Sequence, residues 1–176
     1  MNPAIRSVVR CGVARGLEVM GVFRGWFGLI NEELKVLNHR SVSGIINQGG
    51  TILKTGRCPE FATNESQDRA FNTIKKFAID GLVVIGGNGS FAAAHAFGTK
   101  YNVPCIGIPA SIDNDINGID VTIGSDTAVN TALTAIDNIR DTATSMERIF
   151  VVEVMGRDCG FIALSVALAG GCEDVI

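Results

Sequence analysis

Short β-branched runs alternate along this chain with stretches in which apolar residues recur every three or four positions. That alternation is the pattern of βα units around a mainly parallel sheet. Asn2 followed by Pro3 marks a helix start, because proline's fixed φ suits the first turn, and Ile5, Val8, Val9 and Val13 then share one face. A strand is expected at 17–23. Helical spacing returns with Phe71, Ile74, Phe77 and Ala78 and leads through Asp80 and Gly81 into LVVIGG, a continuous apolar run of the kind buried on both faces. VPCIGIP reads as the next strand. Ser125 or Asp126 can cap a helix that turns Val129, Leu133, Ile136 and Ile139 inward, RIFVVEVMG reads as a further strand, and a last helix covers 160–169. No repeat or low-complexity linker interrupts the pattern, so 1–176 reads as a single domain without an internal boundary. The chain opens on a helix with no strand ahead of it and closes on CEDVI, where another apolar strand begins; the expectation is a segment of a longer protein.

Composition narrows the class. The 176 residues suffice for a real core, and 47% are hydrophobic, yet no apolar run approaches the roughly eighteen residues of a membrane span. With no charged-then-apolar leader either, a soluble, cytoplasmic protein is expected. Fifteen basic and eighteen acidic residues give a net charge of -3 without blocks of one sign, which argues against a nucleic-acid or membrane partner. The five cysteines are scattered and lack C-x-x-C spacing, so they read as reduced thiols rather than a disulfide framework or a zinc site.

Two stretches carry candidate chemistry. In LVVIGGNGSFAAAHAF a strand runs through Gly86, Gly87, Asn88, Gly89 and Ser90 straight into an Ala-rich helix, offering bare amides and the positive end of a helix to a phosphate. A tight βα turn needs glycines for steric reasons as well. The spacing matches neither G-x-G-x-x-G nor the loop ending in G-K-[ST]. The second stretch, GIPASIDNDING, lies at the equivalent end of the next strand, and in open parallel sheets ligands gather there. If extended, it points Asp113 and Asp115 the same way, one to take a proton from an attacking hydroxyl and the other to hold magnesium or its water. The same residues also suit a plain Asx turn. Arg57, in a loop fixed by Pro59, is a candidate to neutralise charge on a transferring phosphoryl group, although loop arginines are often merely solvated, and Arg157, just beyond a strand, lies at the carboxyl edge where ligands bind. Arg148 precedes that strand. Arg6 and Arg10 lie four apart on the first helix, on one face that can equally be ordinary exposed surface. His39 and His95 have no motif partners.

GGNGS, GIPASIDNDI, TIGSDTAVNTALTAIDNIRDT, ERIFVVEVMGRDCG and AGGCEDV, in this order and spacing, closely resemble the bacterial 6-phosphofructokinases over essentially all 176 residues. The resemblance implies transfer of the γ-phosphate of magnesium ATP to the 1-hydroxyl of fructose 6-phosphate, a glycolytic step, by a homotetramer of two-lobed subunits. This chain resembles the nucleotide-binding lobe, a three-layer, Rossmann-like α/β unit, with the family's first strand and second lobe missing. Carried across, Asp113 becomes the general base, Ser111 and Asp113 touch substrate, and Asp115 supports the metal. Arg57, Cys58, Gly87, Asn88, Gly89 and Ser90 contact ATP. Met155, Gly156 and Arg157 bind fructose 6-phosphate, and Arg148 reaches the sugar phosphate of a neighbouring subunit. Arg6, Arg10, Arg140, Gly171 and Glu173 belong to an effector site for ADP or phosphoenolpyruvate.

The departures define the alternatives. Pyrophosphate-dependent relatives carry aspartate and lysine where this chain has Gly89 and Ala110, which favours ATP. Serine replaces the family's usual threonine at Ser111 and keeps the hydroxyl. Asn88 stands where the family has an aspartate that binds magnesium, so the metal set becomes Asn88 and Asp115 with one carboxylate fewer. His39 and Gln48 stand near positions where relatives often have arginine. The 176 residues by themselves are expected to be inactive. A non-catalytic regulatory or nucleotide-binding subunit that keeps the fold is the alternative from another class.

Overall fold

Pro3 lies in the first turn of helix α1 (Asn2–Ala14), where its missing N–H costs nothing. Asn2 does not cap that helix. Its side chain is buried, accepts from the Ile52 N–H at 2.8 Å and donates to the Gln48 carbonyl at 2.9 Å, fastening the helix start to a distant loop. The structure, a computed structural model, describes residues 1–176. It divides the chain into two compact units, Met1–Ile108 and Pro109–Ile176. No helix is long and apolar enough to cross a membrane.

In the first unit, α1 is followed by β1 (Val19–Val22), α2 (Trp26–Ile30) and β2 (Leu34–Leu37). A 3-10 turn, Pro59–Ala62, leads to α3 (Asn64–Lys76), β3 (Leu82–Gly86), α4 (Asn88–Tyr101) and β4 (Cys105–Pro109). The strand expected at 17–23 forms as β1, but it pairs antiparallel with β2, from Val19 opposite Leu37 to Val22 opposite Leu34. The parallel pairing expected of the βα units joins β3 to β4 around α4. The sheet is therefore a parallel pair and a separate antiparallel pair.

Two apolar clusters hold this unit. Ile5 and Val9 of α1 pack with Leu37, Val42 and Ile45, as the one-sided spacing of α1 requires. Leu29, Ile30, Phe61, Ala70, Ile74, Phe97 and Val103 form the other. Trp26 stacks on Phe61 at 4.3 Å between ring centroids, and Phe97 and Tyr101 extend the cluster. The helix expected at Phe71 and Ile74 is α3, capped by Thr63, whose hydroxyl accepts from the Ser66 N–H. It ends earlier than the spacing suggests: Phe77 is its C-cap and Ala78 takes φ +49°.

The expectation that LVVIGG is buried on both faces does not hold. Val83 is 45% exposed and Ile106 of β4 67% exposed, because each strand of a two-stranded pair has a neighbour on one side only and its other edge is open.

The second unit begins with a loop, 110–124, and continues with α5 (Ser125–Met146) and α6 (Phe161–Gly170). Ile136, Ile162 and Val166 form its core, with Val129, Leu133, Ile112 and Val154 packed against them. Neither Ser125 nor Asp126 caps α5 with its side chain; Gly124 is the N-cap, and the buried Ser125 hydroxyl donates instead to the Thr122 carbonyl at 2.9 Å. RIFVVEVMG forms no strand. Ile149 and Val151 are 97% and 90% exposed, since β-branched residues favour a strand only where a neighbour supplies the ladder.

Candidate functional site

The glycine turn closes β3 and opens α4. Gly87 is the N-cap, and the first bond of the helix runs from the Phe91 N–H to the Gly87 carbonyl at 3.1 Å. The amides of Gly89 and Ser90 precede any acceptor of the helix itself, so they sit at its positive end. Gly86 is required by packing: a Cβ there would lie 2.7 Å from Ser90 Oγ. Gly89 is different. A Cβ on Gly89 would meet nothing within 4 Å, so no protein atom demands the absence of a side chain. Asn88 is exposed at the first position of α4.

Arg57 is exposed, and Cys58 beside it is half-buried as the N-cap of the 3-10 turn, packed against the aromatic cluster. Burial pushes the Cys58 thiol above its ordinary value, and the neighbouring Glu60 carboxylate adds to the shift. Cys58 therefore presents a neutral thiol.

In the second unit the SIDND segment is not extended. Asn114 takes φ +51°, so the two-residue alternation argued for Asp113 and Asp115 does not apply. The two acids are tied through Ser111 instead. Its hydroxyl accepts from the Asp113 N–H at 3.2 Å and donates to Asp115 Oδ1 at 3.3 Å. Asp113 is half-buried, and its carbonyl accepts from Cys159 Sγ at 3.1 Å. Cys159 closes a tight turn: its N–H donates to the Gly156 carbonyl at 2.7 Å, and Gly156 takes φ +152°. The MGR segment is thereby linked to the acids. Met155 is 73% exposed and Arg157 is exposed at φ +44°.

The remaining candidates separate. Arg148, just after α5, is exposed, and its N–H donates to the Ala143 carbonyl in the last turn of that helix. Arg140 Nη1 donates to the Gly170 carbonyl at the left-handed Gly171 that ends α6, which brings Arg140 and Gly171 together; Glu173 is exposed. On α1, Arg6 Nη1 donates to the Val42 carbonyl at 2.7 Å, while Arg10 is exposed. No group of three or more His, Cys, Asp or Glu side chains is arranged to hold a metal ion.

Sequence reasoning missed Asn114, Thr122 and Cys159. The usable signal was an asparagine between two acids, since asparagine is among the few residues that tolerate the left-handed region. Thr122 and Cys159 lie eight and 46 residues from their partners, and local pattern carries no such information.

The family profile described as Phosphofructokinase matches residues 1–176. The chain is similar to ATP-dependent 6-phosphofructokinase 2 of Bacteroides thetaiotaomicron, with 54% identity over 176 residues, 100% of this chain and 54% of that relative. It is equally similar to the ATP-dependent 6-phosphofructokinase of Clostridium acetobutylicum, at 54% identity over 100% of this chain and 55% of the relative. Among solved structures, phosphofructokinase from Saccharomyces cerevisiae superposes with a TM-score of 0.91 at 36% identity, covering 97% of this chain and 26% of that one. The chain spans about half the length of the curated relatives it matches. With its whole length matched by the family profile, the chain belongs to the phosphofructokinase family.

Proposed function

We propose that this chain is the nucleotide-binding lobe of an ATP-dependent 6-phosphofructokinase, both units belonging to that lobe, and that the enzyme phosphorylates the 1-hydroxyl of fructose 6-phosphate. The observation that carries this reading is the Ser111 hydroxyl bridging the Asp113 amide and the Asp115 carboxylate. It supports two acids with two tasks. Asp113 takes the proton of the attacking sugar hydroxyl, and Asp115 would help to hold the metal. Amides at the start of α4, with Gly87, Gly89 and Ser90, receive the ATP phosphates. Arg57 offsets charge on the transferring group, with Cys58 beside it as a neutral contact. Met155, Gly156 and Arg157 hold fructose 6-phosphate, and Arg148 serves the sugar phosphate of a neighbouring subunit.

The donor set suits magnesium. Asp115 is an exposed carboxylate beside a hydroxyl, and magnesium favours one or two carboxylates completed by waters and substrate phosphates. Asn88, in the first unit, is proposed as a ligand from the family resemblance alone. The ion would offset phosphate charge during transfer. Open space at Gly89 and the small, buried Ala110 favour ATP over pyrophosphate as donor. Arg6, Arg10, Arg140, Gly171 and Glu173 are assigned to an effector site for ADP or phosphoenolpyruvate in a cytoplasmic homotetramer.

The test is Asp113→Ser in the protein that carries this chain. Turnover in a coupled assay is expected to fall about a hundred- to ten-thousand-fold, with magnesium ATP binding by calorimetry almost unchanged. Parental turnover would move the base elsewhere. Asn88 favours a second reading, a regulatory subunit that binds nucleotide. That reading requires magnesium ATP binding with no turnover in the parental protein.

A further inference from the structure

We propose that Asn114 and Thr122 are positioning residues for phosphoryl transfer, clamping the loop that carries Ser111, Asp113 and Asp115. This rests on the function proposed above.

Thr122 is 2% exposed, so it touches neither substrate nor metal and acts only through its neighbours. Its N–H donates to Asn114 Oδ1 at 2.8 Å, and its hydroxyl donates to the Ser111 carbonyl at 2.6 Å. Asn114 Nδ2 donates onward to the Asp120 carbonyl at 3.1 Å. One buried threonine thus grips the loop at Ser111, before the base, and at Asn114, after it.

The outer end is anchored as well. Ser125 Oγ donates to the Thr122 carbonyl at 2.9 Å, binding Thr122 to the start of α5, and the Ile123 N–H donates to the Pro109 carbonyl at 3.0 Å, at the end of β4. The left-handed turn at Asn114 lies between Asp113 and Asp115, and the bonds of its side chain hold that turn in place. Without the clamp, the amide that orients Asp113 through Ser111 Oγ would have no fixed frame. A general base must be held to a fraction of an ångström, and misplacement by about 1 Å from a remote change can cost a hundredfold in rate.

Three variants of the protein carrying this chain test the clamp. Thr122→Val keeps the volume and removes the hydroxyl; Thr122→Ser keeps the hydroxyl; Asn114→Gly keeps the left-handed backbone and removes the side chain. Thr122→Val and Asn114→Gly are expected to lower kcat about ten- to a hundredfold, with the KM for ATP within about threefold and the thermal midpoint close to parental. Thr122→Ser is expected to restore most of the rate. By hydrogen exchange, the Thr122 and Asp113 amides should lose protection in Asn114→Gly. Parental kcat in both Thr122→Val and Asn114→Gly would overturn the proposal, as would unchanged exchange at Thr122. A parental protein with no kinase turnover would overturn the proposed function instead, and the exchange measurement would still decide whether the clamp exists.

Discussion

Asn88 opens α4, where an aspartate would place negative charge at the positive end of the helix and add a charged ligand for magnesium. Asn88→Asp is expected to stabilise the fold by about 0.3–1 kcal/mol and to lower the magnesium concentration that gives half-maximal rate, leaving the fructose 6-phosphate dependence unchanged. A magnesium titration followed by the coupled assay checks this, and an unchanged titration would remove Asn88 from the metal site. Two glycines make opposite predictions. At Gly156 a Cβ would lie 2.2 Å from the Cys159 carbonyl oxygen, so Gly156→Ala must move backbone and disturb the turn that ties Cys159 to Asp113. A stability loss of about 1–3 kcal/mol with a raised KM for fructose 6-phosphate is expected from melting curves and kinetics. At Gly89 a Cβ meets no atom, so Gly89→Ala is expected to fold with a thermal midpoint no lower than parental, helped by alanine's higher helix propensity. Its ATP affinity by calorimetry should nonetheless fall, because the methyl group enters space assigned to phosphate.

The elements around the aromatic cluster carry a pH dependence. Cys58 and Cys105 both pack against that cluster, and burial is the main cause raising each thiol above its ordinary value of 9.0. The folded chain therefore holds these protons more tightly than the unfolded chain does. Their stabilising contribution is complete below pH 9 and is lost as pH rises through the folded values. Tyr101, raised mainly by burial and next by its bond to Asp68, extends the same trend above pH 10. Urea midpoints measured across pH 7–11 should stay level to about pH 9 and then decline; replacing both cysteines by alanine should flatten the first part of that decline. At this scale the helices were the legible elements. Periodic apolar positions located α1, α3 and α5, with Pro3 marking the start of α1, and alanine-rich composition located α4, because a helix satisfies its backbone locally. Strands were legible in part: LVVIGG and VPCIGIP formed β3 and β4 with the parallel pairing expected of a βα unit. The 17–23 run formed β1, yet its antiparallel partner β2 was not anticipated, and 148–156 stayed irregular for want of a neighbour.

Across the whole molecule, burial is uneven enough to predict where the backbone opens. Ala70 of α3 and Phe97 of α4 are fully buried, whereas 149–152 has no regular hydrogen bonding and is exposed throughout. Hydrogen exchange of this chain should therefore find the strongest protection in α3 and α4 and the fastest exchange at 149–152; protection at Val151 would contradict the absence of a strand. By itself, the sequence determined the α/β class, the places of the main helices and the two segments in which the chemistry was sought. Helical periodicity, glycine turns and clustered acids are local properties that a chain states wherever it folds. The tertiary structure decided which strands found partners and how the acids are oriented. Asn114 could be recognised as a turn former, but its partner Thr122 lies eight residues away, and Cys159 reaches Asp113 across 46. Hydrogen bonds over such separations depend on where the chain returns in space, and neighbouring residues do not encode that return.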